Sequence, residues 1–213
     1  MQMYASRTGT KRNLKALREA GWRLLISATG CHRSEGFDYM IDNGAYTYWR
    51  RGVAYDPAPF RRLLRSHGAH ADMIVAPDIV AGGKSSLDLS LDWLPELRSY
   101  GPRILIPVQD GMTSEDLAPF VSNDVGVFLG GSTEWKEQTM SYWGSFCQSN
   151  GCYYHVGRVN TLRRIYMALD AHADSCDGSS ASRYACTLKD LDFASRGHKW
   201  ESRGRARGQL KLL

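Results

Sequence analysis

Eight short apolar, β-branched runs recur along this 213-residue chain, separated by segments of helical periodicity. They cover residues 1–6, 23–28, 38–44, 71–78, 103–110, 124–131, 153–159 and 173–178. Several are apolar at consecutive positions, the pattern of parallel strands covered on both faces. Between them, Phe60, Leu63 and Leu64 follow Pro57 and Pro59, and Leu87, Leu91 and Leu94 follow Ser85 and Ser86. Leu162, Ile165, Tyr166 and Leu169 likewise follow Asn160 and Thr161. Each set has i, i+3/i+4 spacing behind a helix start signal. Eight strands alternating with helices predict an α/β chain closed as a compact (β/α)₈ TIM-type barrel rather than an open doubly wound sheet.

With 43% hydrophobic and 23% charged residues, the chain is neither disordered nor fibrous. No window approaches the ~18 unbroken apolar residues of a membrane span, so no membrane partner is expected. The opening MQMYASRTGTKR lacks the apolar region of a signal peptide. Five cysteines at irregular spacings point to a reducing cytoplasm rather than a disulfide framework. Charge is unevenly divided: +7 over residues 1–65, −7 over 66–194 and +5 over 195–213. We therefore expect a barrel over 1–194 and a basic tail over 195–213. In that tail Arg203, Arg205 and Arg207 stand among glycines, a composition suited to an arm lying along phosphates. A solvated charged face is the plainer reading of such runs.

Asp42, Asp78, Gln109, Gly130, Gly131, Arg158 and Asp177 all fall where a strand run gives way to a loop. In a β/α barrel those ends converge on one mouth, where active sites sit. A single aspartate there is as easily a helix cap. Three carboxylates and a glutamine at separate strand ends predict a shared pocket.

In order along the chain stand IDNGAY (41–46), APDIV (76–80), IPVQDG (106–111), FLGGSTEWK (128–136), HVGRVNT (155–161) and ADSCDGSS (173–180). This series resembles the ordered motifs of the tRNA-guanine transglycosylases, and most closely the short, often phage-encoded, DpdA-type DNA-guanine transglycosylases. The resemblance runs from about residue 38 to 180. It implies exchange of guanine in a polynucleotide for a 7-deazaguanine, such as 7-cyano-7-deazaguanine, by double displacement at the sugar, without a cofactor. A phage-encoded member would work in its host's cytoplasm.

The same resemblance implies residue roles. Asp177 matches the nucleophile, whose carboxylate would hold the sugar as a glycosyl-enzyme ester. Its alternatives are a helix cap before Ser179 and Ser180, and Asp174 as the nucleophile in its place. Asp42 matches the general acid/base, although Asp-Asn-Gly also reads as an Asx turn. Tyr46 matches an aromatic stacking on the purine. Asp78, Gln109 and the Gly130–Gly131 backbone match the groups that read guanine's edge. Either His155 or Val156 would take the place of a methionine packing the far face of the base. Arg158 joins the tail arginines as a contact to the polymer.

The chain departs from tRNA-acting members in lacking their C-x-C-x-x-C…H zinc motif, so no metal is expected. That departure favours double-stranded DNA with the target guanine flipped out, together with a free 7-deazaguanine base, and makes tRNA the second choice. GSTEWKE after the two glycines also departs from the family pattern. A catalytically idle nucleic-acid-binding barrel and a sugar-phosphate enzyme remain as alternatives.

Overall fold

A computed structural model describes residues 1–6 and 10–198. The elements run β1 (Gln2–Ser6), α1 (Lys11–Glu19), β2 (Arg23–Ser27), β3 (Tyr39–Asp42), α2 (Ala45–Arg50), α3 (Ala58–His67), β4 (Met73–Val75) and α4 (Lys84–Arg98). They continue as β5 (Arg103–Val108), α5 (Ser114–Leu117), β6 (Val125–Leu129), α6 (Thr133–Asn150), β7 (Tyr154–Val156), α7 (Leu162–Asp170), β8 (Ser175–Gly178), α8 (Ser180–Arg183) and α9 (Ala185–Ser195). The strands close in sequence order into one parallel barrel. Each lies within an expected run.

One connection departs from the expected alternation. β2 and β3 are joined by residues 28–38 without a helix. That stretch, ATGCHRSEGFD, has no repeating apolar period, and Phe37 is its one large apolar side chain to be buried. With nothing to pack as an amphipathic face, the loop stays irregular. This economy helps eight strands fit a short chain.

Alternation along the strands divides the core into two layers. Tyr4, Leu25, Met40, Met73, Val75 and Leu105 fill the barrel, with Phe128 and Tyr153 packed against them. The opposite parity, including Met3, Leu24, Ile41, Ile74 and Ile106, packs under the helices. At the barrel's lower end Tyr4 donates from its hydroxyl to Asp72 Oδ2 at 2.9 Å, and Arg23 pairs with the same carboxylate at 3.1 Å. Helix α3 buries Phe60, Leu63 and Leu64 completely. Each such side chain stabilises the fold by about 1.5–3 kcal/mol.

Prolines shape the upper end. The pairing of β4 with β5 runs from Met73↔Arg103 and ends at Val75↔Leu105. Pro77, without an N–H, cannot extend that ladder. Pro107 is tolerated inside β5 because its β4 side is already unpaired there, while β6 still runs alongside to Val108↔Leu129.

Helix α6 approaches the end of α7 closely at Gly144, where an added Cβ would lie 2.0 Å from the Ala171 carbonyl oxygen. Gly144→Ala is therefore expected to destabilise the protein by about 1–3 kcal/mol through overpacking. Urea unfolding measures this. A loss no larger than that of Ser145→Ala on the exposed face would show that α6 can shift away freely.

The expected boundary at 194/195 falls at the last turn of α9, whose Ala194 and Ser195 are buried. Arg196 then bonds Asp192 at 3.0 Å and the Ala20 carbonyl at 3.1 Å. Arg203, Arg205 and Arg207 lie outside the described residues.

Candidate active site

A cleft of about 640 Å³ opens at the carboxyl ends of the strands. Asp42, Asp78, Gln109, Gly130, Gly131, Arg158 and Asp177 line it, each from the end of a strand or the turn that follows. Tyr46 enters from the first turn of α2. The strand-end residues singled out in the sequence therefore meet in one place.

Asp42 closes β3 and begins a double turn. Its Oδ2 accepts from the Gly44 N–H at 3.1 Å, and Asn43 Oδ1 accepts from the Ala45 N–H at 2.6 Å. The local Asx turn and the site are thus compatible: the turn uses one oxygen while the carboxyl still faces the cleft. Burial pushes the Asp42 carboxyl up to about 6; Asp177 adds repulsion, and bonds from Ser27 and Gly44 oppose the rise. Such a group can hold or release a proton near neutral pH.

Asp78 is clamped. Its Oδ1 accepts from Asn43 Nδ2 at 2.9 Å and its Oδ2 from Gln109 Nε2 at 2.6 Å. Burial pushes its carboxyl up to about 7, and Asp42 adds to this. Asn43, Gln109 and Arg158 pull the other way. Gln109 therefore spends a donor on Asp78 in this structure, and its Oε1 accepts from the Ala81 N–H at 3.4 Å. Gly130 donates its N–H to Val108 at 3.1 Å. Gly131 has φ +70, and an added Cβ would fall 2.6 Å from both Asp110 Oδ2 and a Trp135 ring carbon. Only glycine fits there without a shift.

Asp177, 6% exposed, sits on β8. Its Oδ1 accepts from the Arg158 backbone N–H at 3.2 Å and lies 3.1 Å from His155 Nε2. It does not cap α8. Asn160 Oδ1 takes that role, accepting from the N–H groups of Ser179 at 2.8 Å and Ser180 at 2.9 Å. Asp174 is no competitor for the cleft. It precedes β8 at the opposite end of the barrel, exposed, with Oδ2 bound to the Tyr154 N–H at 2.8 Å.

One expectation is corrected. Val156 does not face the base site. It is fully buried in the layer between barrel and helices, because the parity of β7 turns His155 inward and Val156 outward. Phe128 lines the cleft instead, stacked on His155 with centroids 5.0 Å apart. Arg158, expected as a contact to the polymer, lines the cleft. Its guanidinium donates to the Gly131 carbonyl and lies 5.0 Å from the centre of the Tyr46 ring, inside the cleft wall. The exposed arginines of the rim are Arg50, Arg51 and Arg183. None of the three is in a salt bridge among the described residues.

Sequence reasoning missed Asn43, Asn160 and Lys136. Lys136 is 1% exposed and donates from Nζ to the Gly157 carbonyl, behind the turn that carries Arg158. Burial and Arg158 push its ammonium down to about 8, with Asp177 opposing. The signal was legible: Lys136 shares the buried face of α6 with Met140, Trp143 and Cys147 at i+4, i+7 and i+11. Among the described residues no three His, Cys, Asp or Glu side chains group to hold a metal ion. No described helix is long and apolar enough to cross a membrane.

Asp42 gives a stability prediction with a definite sign. A carboxyl raised in the folded state opposes folding once it must ionise, so its cost is present above pH 6 and vanishes towards pH 4. Asp42→Asn, which keeps an acceptor for Gly44, is expected to stabilise by about 1–2 kcal/mol at pH 7.5, allowing for partial exposure. The gain should disappear by pH 4. Thermal midpoints across that range decide it, and a gain that grows on acidification would reverse the assignment.

No family model matches the chain, and no curated protein matches it.

Proposed function

We propose that the cleft exchanges a base on DNA: a guanine transglycosylase that inserts a 7-deazaguanine by double displacement. The observation that carries this reading is the convergence of Asp177 and Asp42 on one cleft, with Asp42 tuned to about 6. A retaining glycosyl transfer needs a carboxylate nucleophile and a second carboxyl that gives and takes a proton near neutrality.

In the first half-reaction a carboxylate oxygen of Asp177 attacks C1′ of the target nucleotide. The C1′–N9 bond breaks, and its electron pair leaves with guanine, which takes a proton from Asp42. In the second, the incoming 7-deazaguanine gives its N9 proton to Asp42, and N9 attacks C1′. The ester C–O bond breaks and the Asp177 carboxylate returns. Atoms balance without an oxidant, reductant or cofactor.

Asp78 supports base recognition, since a carboxylate has about four acceptor sites and only one bond is spent on each oxygen here. Guanine's N1–H and 2-amino group would take the remaining sites. With the Gly130 N–H already bonded, Gly131 would supply the donor to O6. Tyr46, 41% exposed and backed by Trp49 at 5.6 Å, offers a stacking face at the mouth. Arg50, Arg51 and Arg183 on the rim suit phosphates on either side of a flipped nucleotide.

Incubation with labelled guanine, and separately with labelled 7-cyano-7-deazaguanine, tests the reading. Label should enter duplex DNA. Incorporation into tRNA alone would replace DNA as substrate. Polynucleotide binding with no incorporation into either would leave an idle nucleic-acid-binding barrel.

A further inference from the structure

His155 is completely buried beneath Asp177, and its immediate partners are Ser175, Asp177, Phe128 and Tyr4. Nδ1 lies 2.7 Å from Ser175 Oγ, and Nε2 lies 3.1 Å from Asp177 Oδ1. An ionised carboxylate only accepts, so in either charge state of the ring Nε2 carries the proton of that contact. Phe128 stacks on the ring at an interplanar angle of 16°, and Tyr4 meets it edge-on at 6.1 Å. The imidazole therefore has one orientation.

The Arg158 backbone N–H donates to the same oxygen, at 3.2 Å. Oδ1 thus carries two donors, while Oδ2 accepts no hydrogen bond among the described residues. The two oxygens of Asp177 are chemically different.

We propose that His155 is a positioning residue that pins Oδ1 of Asp177 and leaves Oδ2 as the oxygen that attacks the sugar. The kinetic part of this inference rests on the glycosyl-transfer reading above; the pinning itself does not. Pinning fixes the carboxylate plane, so the free oxygen meets C1′ without first losing rotational freedom. The donor on Oδ1 also stabilises the carboxylate when the ester breaks and its charge returns.

Two measurements test the proposal. Nitrogen-15 NMR of the wild-type imidazole should show a proton on Nε2, with a resonance that moves in Asp177→Asn. In parallel, covalent adduct formation with guanine-containing DNA is timed at saturating DNA for His155→Met and His155→Gln, below each variant's thermal midpoint. His155→Met should slow the step about 10–100-fold, the size of one hydrogen bond to a charged group, with little change in half-saturating DNA. His155→Gln keeps an amide donor and should recover most of the rate. A merely structural histidine would not favour Gln over Met. An Nε2 without a proton, wild-type rates in His155→Met, or equal losses in both variants would overturn the proposal. If wild-type protein forms no adduct at all, the glycosyl-transfer reading fails instead, and the NMR result alone decides the pinning.

Discussion

Asp177→Ala is expected to abolish both base exchange and the denaturation-resistant protein–DNA adduct, a loss of roughly 10⁴-fold or more in turnover. The side chain is buried at the strand end with one oxygen anchored and the other unbonded among the described residues. No neighbour can take its place. Asp42 is bound into its own Asx turn, and Asp174 lies at the far end of the barrel. The truncation leaves the His155 and Arg158 donors without their acceptor, which costs about 1–3 kcal/mol of stability. Because the site opens to the cleft, water can satisfy part of that demand. The fold and the affinity for DNA should therefore survive while the chemistry does not. Trapping on a denaturing gel with labelled DNA reads both species. A variant that turns over at the wild-type rate would remove Asp177 from the reaction.

Asp78 carries the second large effect. Asp78→Ala should weaken binding of a free 7-deazaguanine about 10–100-fold, because the base's donor edge and the two amide donors of Asn43 and Gln109 all lose their acceptor. Asp78→Asn should weaken it too, by presenting an amide donor to another donor. The wild-type protein should show a matching pH dependence. Asp78 is held up to about 7, and only its ionised form offers acceptors on both oxygens. Affinity should therefore be full above pH 8 and fall as pH drops through 7, towards tenfold per pH unit. Calorimetry at pH 8, 7 and 6 with wild type and both variants settles the point. Unchanged affinity in both variants, or tighter binding in acid, would place the base elsewhere.

Much of the architecture was legible in the residues. The apolar runs located every strand because parallel strands covered on both faces need apolar side chains on both, and turn residues bound them. The same runs located the strand ends, and barrel closure makes strand ends converge. Hence Asp42, Asp78, Gln109 and Asp177 could be grouped without a structure. The helix-free connection between β2 and β3 was less visible, since the absence of periodicity says little about what lies between two strands.

What the sequence by itself determined was that Asp42, Asp78, Gln109 and Asp177 stand at the mouth; Asn43 and Asn160 joined them only in the structure. The sequence did not determine which way they point or what they bond. A strand apolar on both sides carries no local mark of its inward parity, so His155 and Val156 could be told apart only once β7 was seated between β6 and β8. The cap of α8 was equally undecidable, since an aspartate just before Ser179 is a better local candidate than an asparagine in another loop. Closure of the barrel brings Asn160 to those N–H groups and thereby leaves Asp177 facing the cleft. The clamp on Asp78 by Asn43 and Gln109 likewise joins the ends of three strands. Periodicity is a local property and could be read along the chain. Orientation and hydrogen-bond partners depend on groups 20 to 35 residues apart, and only the tertiary structure brought them within reach.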